Sequence, residues 1–399
     1  MLHRTFSPPS PSTSPWAIAF LAMGIVAATN GMTTTGMTVF DESLIREFDW
    51  TRTELKVRDA VSFWGAALFL PLGGYAIDRF GVKRCAVAGL VLLAGGLFAY
   101  SMVHSLGQLY ALHGLFAIAI SLAGSMAMVI LVARHFSEKR GLAVGIALAG
   151  TSLGGIVFTQ VNAVLLVMSS WRSAFRMEAL IPLACIPIVL VMVTKGGPVR
   201  DSSDIVPEDA GIDVTEALRT PAFWGIALSG FITYGSILAI ISNLYLFMRD
   251  LRVSESLAAW ALTMLFALAL AGKFFSGFMS DYVNPYKLFS VHMLTMALGV
   301  AALFSMRLPL VWAGIVVVGF GWGGMYTLYN YLVIKSFGLK AVGRIGGAVS
   351  VMESLGAGAG PMAAAYVFDT TGSYAGAFMG IFIALLGALV LTRLVQPLK

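Results

Sequence analysis

The chain has 399 residues, of which 58% are hydrophobic and only 12% charged, with a net charge of +6. A soluble domain carries about 25% charged residues, so half that share, together with repeated apolar runs of roughly 20 residues, excludes an ordinary soluble enzyme. The runs are continuously apolar rather than alternating, which argues for membrane-spanning helices over a barrel, and the basic residues sit in short loops, which ties the positive charge to membrane topology rather than to nucleic acid.

In chain order, residues 1–15 (MLHRTFSPPSPSTSP) are rich in Pro and Ser and read as a disordered tail. The run from Trp16 to Phe40 is too long for a signal-peptide core and has no small-residue cleavage site, so it reads as an uncleaved first span. Eleven further spans fall near 57–77, 85–103, 108–133, 141–167, 174–194, 222–247, 256–280, 286–305, 309–334, 345–368 and 374–394. Between the sixth and seventh lies KGGPVRDSSDIVPEDAGIDVTEALRT, whose six acidic and three basic residues mark a solvated linker with a short helix near 213–219. The expected organisation is a tail (1–15), a six-helix half (16–194), a linker (195–221), a second six-helix half (222–394) and a short end (395–399).

With the N-terminus inside, cytoplasmic segments hold 16 Lys and Arg against 9 in the external loops. That asymmetry places both termini in the cytoplasm. The first external loop runs against it, because Arg46, Arg52, Lys56 and Arg58 are mixed there with six acids.

The two halves repeat. Gly74 and Asp78 recur as Gly277 and Asp281, Arg134-x-Phe136 as Lys335-x-Phe337, and Ser152-Leu153-Gly154 as Ser354-Leu355-Gly356, all at nearly one offset. The loop GGYAIDRFGVKR (73–84) joins the second and third spans. Gly74 permits close helix approach, Gly81 a tight turn, and Asp78 an interaction with a helix N-terminus; Arg79, Lys83 and Arg84 fix the loop inside.

This loop resembles the cytoplasmic signature of the major facilitator superfamily, with GFMSDY (277–282) as its degenerate second copy. RHFSEKRGLAVGIALAGTSLGG (134–155), EFDWTRTEL (47–55), WRSAF (171–175), GKFFSGFMSD (272–281) and FDTTGSY (368–374) look like the oxalate/formate antiporter and monocarboxylate transporter branch. The resemblance implies an all-α integral membrane protein, with twelve transmembrane helices in two six-helix pseudo-repeat halves around a central cavity. It also implies an Arg in the eighth span that binds the substrate carboxylate; here that position is Lys273. The Asp that serves proton coupling four residues earlier in the animal members is Ala269, and their first-span acidic-Gly-Trp signature is missing. The fourth-span Arg of proton-driven exporters falls near Tyr110. The fifth-span Gly-Pro of drug antiporters reads Gly150-Thr151.

Lys273 lies eight residues before Asp281, about 12 Å into the membrane at 1.5 Å per residue. Its ammonium either snorkels to the headgroups or anchors an anion in the cavity. Glu353 lies at similar depth, nine residues after Arg344, and is expected to pair with Lys273 in the empty carrier, as a functional or a purely structural pair. Trp322, Tyr326, Tyr329 and Asn330 share a helical face and read as cavity wall or as ordinary packing. Tyr234, Tyr245 and Asn243 in the seventh span carry the same two readings. Asn30, Thr33 and Thr34 face either the cavity or neighbouring helices. Arg58 and Asp59 read as a headgroup-level cluster in preference to an external gate. Asp78 and Asp281 read as gate locks facing the fifth or eleventh helix of the opposite half, near Arg140 and Arg344.

No HxxxH or HExxH pattern joins the five histidines, and Cys85 and Cys185 form neither a disulfide framework nor a CxxC site, so no metal is expected. No catalytic constellation, cofactor motif or GxxxxGK[ST] loop is present, which favours gradient-driven transport. The expected protein is a monomeric secondary transporter of the plasma (inner) membrane for a small organic anion, worked by proton symport or anion exchange. The rivals are a drug or metabolite efflux antiporter of the same fold and a non-transporting receptor or scaffold.

Overall fold

The computed structural model describes residues 14–136, 138–193, 211–338 and 340–395, with the side chain of Asn330 also outside the described set. Most of the expected linker and most of both tails therefore lie outside the described residues. The first half contains α1 (Pro15–Asn30), α2 (Asp41–Phe48), α3 (Arg52–Phe80), α4 (Val82–Tyr100), α5 (Leu106–Ala123), α6 (Ser125–Ala133), α7 (Arg140–Met168), α8 (Trp171–Glu178) and α9 (Leu180–Met192). A short helix, α10 (Val214–Ala217), falls where one was expected. The second half contains α11 (Pro221–Asp250), α12 (Glu255–Met279), α13 (Pro285–Phe304), α14 (Leu308–Phe337), α15 (Val342–Thr371) and α16 (Ala375–Leu391).

Among the described residues, eleven helical segments are long and apolar enough to cross a membrane. The twelfth, α15, spans 30 residues but is diluted by six glycines and carries Glu353. Local sequence sets the ends. Thr51 and Glu54 form a reciprocal capping box at the start of α3, Ser254 caps α12, and Gly81 ends α3 with φ +85°, a conformation a side chain rarely adopts.

Three of the spans are broken. After α1 the chain forms a π-helical turn (Gly31–Thr35) and a 3-10 turn (Gly36–Phe40) before α2. Threonine hydroxyls compete for the backbone here: Thr29 bonds the carbonyl of Ile25 at 2.9 Å, Thr33 that of Thr29 at 2.6 Å, and Thr38 that of Thr35 at 2.8 Å. Gly31 and Gly36 bring this irregular backbone against α7, so that a Cβ at Gly36 would lie 3.0 Å from the Phe158 Cβ. The α5/α6 break sits at Gly124 and the α8/α9 break at Ala179.

The halves repeat in packing as well as in sequence. α1 packs on α7 as α11 packs on α15, and α3 and α4 flank α5 as α12 and α13 flank α14. The two halves meet along α3 with α15 and α7 with α12. Close approach depends on missing side chains. A Cβ at Gly323 of α14 would land on the Ala269 carbonyl of α12, where only backbone can yield. Gly323→Ala is therefore expected to destabilise the second half by about 1–3 kcal/mol. Thermal unfolding of the purified protein checks this, and an unchanged midpoint would show that α12 and α14 have slack.

One expectation about glycine moves by a residue. Gly74 has nothing within 4 Å where its Cβ would sit, whereas Gly73 has the Ser121 carbonyl oxygen at 2.6 Å. Gly73 makes the close helix contact in this conformation, and Gly74 and Gly277 face open space.

Candidate functional site

The halves are joined at the end opposite the 73–84 loop. Asp369 of α15 accepts from the first amides of α3, Arg52 N at 3.3 Å and Thr53 N at 2.7 Å, so a carboxylate of one half completes the N-terminus of a helix of the other. The Arg52 guanidinium forks onto Asp250 with two contacts of 2.7 Å and lies 3.6 Å from the Phe368 ring centroid. Glu42 accepts from Arg249 Nε at 2.7 Å.

Beneath these contacts lies a charge cluster. Asp41 and Lys56 are fully buried, Arg58 is 1% exposed and Asp59 4%. Lys56 Nζ donates both to Asp41 and to the Ser242 carbonyl of α11, across the interface. Arg58 donates to Asp41 and, at 3.3 Å, to the Tyr100 hydroxyl, with Asp59 3.7 Å from its Nε. Arg58 and Asp59 therefore face the protein interior rather than lipid headgroups: two acids and two bases neutralise one another inside the protein. This also explains why the first loop runs against the positive-inside count, since half of its cations are buried with partners. Asp41 and Lys56 were legible only as members of a mixed-charge loop.

Toward the middle, Lys273 on α12 donates to the Thr151 hydroxyl of α7 at 2.6 Å, across the interface, and its ammonium lies 4.4 Å from the Tyr326 ring centroid. In this conformation the ammonium points into the interface between the halves. Tyr234, Trp322 and Tyr326 form an edge-to-face series, with centroids 4.9 and 5.8 Å apart. Among the described residues the Tyr234 and Tyr326 hydroxyls bond no protein group.

Glu353 on α15 lies near Tyr234, Tyr326 and Tyr329, where a Cβ at Gly230 would be 3.1 Å from its Cγ and 3.6 Å from the Tyr329 ring. The expected Lys273–Glu353 ion pair is not formed; Thr151 takes the ammonium instead. Tyr329 is buried behind this layer, with its hydroxyl 3.2 Å from Thr233 and its ring on Phe289. Tyr245 and Asn243 are also buried, and Asn243 bonds the Pro361 carbonyl and the Tyr374 hydroxyl. Asn30 is half-buried at the start of the first-span break, while the side chain of Asn330 lies outside the described residues. An apolar cleft of about 390 Å³ between α11, α15 and α16 has no charged residue in its lining.

At the 73–84 end the halves separate. Besides the ties at the closed end, the hydrogen bonds that join the halves among the described residues are Gln160 to Thr263, Trp64 to the Leu355 carbonyl and Lys273 to Thr151, and none lies nearer the 73–84 loop than these. Asp78 meets Arg134 of its own half at 3.5 Å, rather than the opposite half. Arg79 donates to Tyr75 at 3.0 Å and Arg140 to the Phe136 carbonyl at 3.2 Å, whereas Arg84, Asp281 and Arg344 are exposed.

Two pseudo-repeated helical halves, closed at one end and apart at the other around a cationic interface, form the architecture of a membrane transporter. A family model described as Major Facilitator Superfamily matches residues 16–248 and again 226–399, and the chain belongs to that family. It is 28% identical to the oxalate:formate antiporter of Oxalobacter formigenes, over 82% of this chain and 80% of that protein. It is also 28% identical to monocarboxylate transporter 13 of Bos taurus, over 77% and 72%, and to the nitrite extrusion protein of Bacillus subtilis, over 82% and 81%. In fold it matches a bacterial homologue of the human lysosomal transporter Spinster, in an inward-facing and occupied conformation, with a TM-score of 0.78 at 17% identity over 97% of each chain.

Proposed function

We propose that this superfamily transporter moves a small organic anion, a mono- or dicarboxylate, by alternating access, driven by proton symport or anion exchange. The observation that carries this reading is the Lys273 ammonium, held between the halves on a hydroxyl with no carboxylate partner. A substrate carboxylate supplies the missing charge. The Tyr234 and Tyr326 hydroxyls offer donors, Trp322 an apolar wall, and Asn30 a polar contact from the first half. Tyr329 supports the aromatic layer, and Glu353 sets a negative limit on the far side of the site.

The 73–84 end is assigned to the cytoplasm, together with both termini, and the membrane to the plasma (inner) membrane. The conformation described is then inward-facing, and one chain suffices as the working unit. In the outward-facing state Asp78 and Asp281 turn to the helix starts near Arg344 and Arg140 of the opposite halves. The substrates named for the three relatives given above (oxalate and formate, monocarboxylates, nitrite) are small anions, in keeping with a cationic site.

Glu353, also without an ion pair, supports one second reading, an efflux antiporter whose cationic substrate uses that acid. Uptake into proteoliposomes over a panel of labelled carboxylates separates the two. Carboxylate accumulation is expected; extrusion of cationic dyes in its place would favour the second reading, and no flux of either would favour a receptor or scaffold. No chemical transformation of the substrate is part of this function.

A further inference from the structure

The first half contains a buried carboxyl with no cationic partner among the described residues. Glu178, the last residue of α8, is fully buried, and both of its carboxyl oxygens lack a hydrogen-bond partner. Its one hydrogen-bonding neighbour is the Asn162 amide of α7, which lies against the carboxyl without closing a well-formed hydrogen bond. That amide is fully buried too, and its nitrogen and oxygen are both unpartnered. Thr159, one turn earlier on α7, adds a third buried and unanswered polar group.

The backbone around this cluster is irregular on two sides. Glu178 ends α8 at the break before α9, and Pro182 has no N–H to offer the Glu178 carbonyl four residues back. Opposite, the first-span break packs on the same face of α7, and a Cβ at Gly36 would lie 3.0 Å from Asn162 Nδ2. Two broken helices thus converge on Asn162, at a depth of about 10 Å from the Trp171 end of α8. Non-helical backbone at such depth is tolerated where protein or a cavity covers it, and helix breaks are where transporter halves place ion sites.

The charged groups nearby are already engaged. On α8, Arg172 pairs with Glu47 and Arg176 donates to Ser101, which caps the end of α4. Tyr100 of α4 packs on Phe175 and takes Arg58. Asp41, after the first-span break, is held by Lys56 and Arg58, and Asp59 lies against Arg58. His113 of α5, packed on Tyr100, meets the Ser62 hydroxyl at 2.8 Å. α9 has no charged residue, and α7 has one only at its first position, Arg140. An ionised carboxylate with no partner is costly by several kcal/mol in such a place, whereas the neutral acid is not.

We propose that Glu178, with Asn162 opposite it, is a proton-binding site of the first half, separate from the anion site at Lys273. In the conformation described the carboxyl carries its proton. When the two helix breaks move, water or the Asn162 amide reaches the carboxylate and the proton leaves to solvent; no other bond forms or breaks. The coupling of this proton to an anion rests on the proposed function, but the occupancy of Glu178 does not.

Two measurements test the site. Infrared spectra of the purified full-length protein are expected to contain, at neutral pH, a protonated-carboxyl band that is lost in Glu178→Gln. A band unchanged in that variant overturns the proposal, as do carboxylate bands that respond to sodium rather than to pH, which would assign a bound cation. In proteoliposomes, Glu178→Gln is expected to lose accumulation driven by a proton gradient while carboxylate-for-carboxylate exchange continues; retained proton-driven accumulation overturns the proposal. Glu178→Met, an apolar replacement of similar volume, gives a second folded variant for both arms. If the wild type moves no carboxylate, the anion reading fails and the infrared arm still decides Glu178.

Discussion

Lys273→Ala is expected to weaken carboxylate binding by about thirtyfold or more while leaving the fold intact. The ammonium sits between α12 and α7 with a hydroxyl and an aromatic face as its neighbours, and neither neutralises it. A bound carboxylate is then the group that completes it. Removing one partner of such a desolvated charge pair costs about 2–5 kcal/mol, which weakens binding by about thirtyfold or more. Stability moves the other way or not at all, because the variant takes away a buried cation and strips no acid of its partner. Lys273→Arg keeps the charge but replaces a compact ammonium by a planar fork; it is expected to retain binding at reduced affinity and to shift preference among mono- and dicarboxylates. Substrate-induced thermal shift and proteoliposome uptake, run side by side on both variants, read the two effects separately. Full transport by a well-folded Lys273→Ala protein would remove Lys273 from the site and leave Glu353 as the leading deep charge.

Much of this architecture could be read from the residues alone, for physical reasons. Apolar runs must match membrane thickness, so the spans were legible to within a few residues. The repeated Gly-x-x-x-Asp and Ser-Leu-Gly spacings revealed two related halves before any packing was known. Lys273 was legible because a cation inside an apolar run is costly and rare. The direction of its side chain was not, since that depends on Thr151, a residue 122 positions away.

The partner of Lys273 was misjudged for the same reason. Equal depth along two helices does not place two side chains on facing sides, and the Tyr234–Trp322–Tyr326 series stands near both charges. The first-span break was hidden by composition, because Gly and Thr within an apolar run look like a helix until the hydroxyls are seen to bond back to the chain. Glu178 lies inside the expected sixth span (174–194), but so near its start, beside Arg176, that it looks like an end charge; only the turn of α8 places it inward.

Asp41→Asn is expected to be among the most destabilising single changes in the first half. Asp41 is the acid shared by Lys56 and Arg58, and all three are buried. Neutralising it leaves two cations facing Asp59 alone, an imbalance of one charge in a place that water does not reach. Breaking a buried ion pair from one side costs about 3–5 kcal/mol, whereas removing both partners together costs far less. The double variant Asp41→Asn with Lys56→Met is therefore expected to melt higher than Asp41→Asn alone, and the non-additivity measures the pair. It is not expected to restore wild-type behaviour at the closed end. Lys56 also donates to the Ser242 carbonyl across the interface, and this tie between halves is absent from the double variant. Labelling of a cysteine placed at Ser242, buried in this conformation, is then expected to quicken from the side of the membrane away from the 73–84 loop. If the double variant is no more stable than the single one, the cluster is not a balanced set of charges. If its cysteine stays protected, the bond from Lys56 to the Ser242 carbonyl does not hold the closed end together.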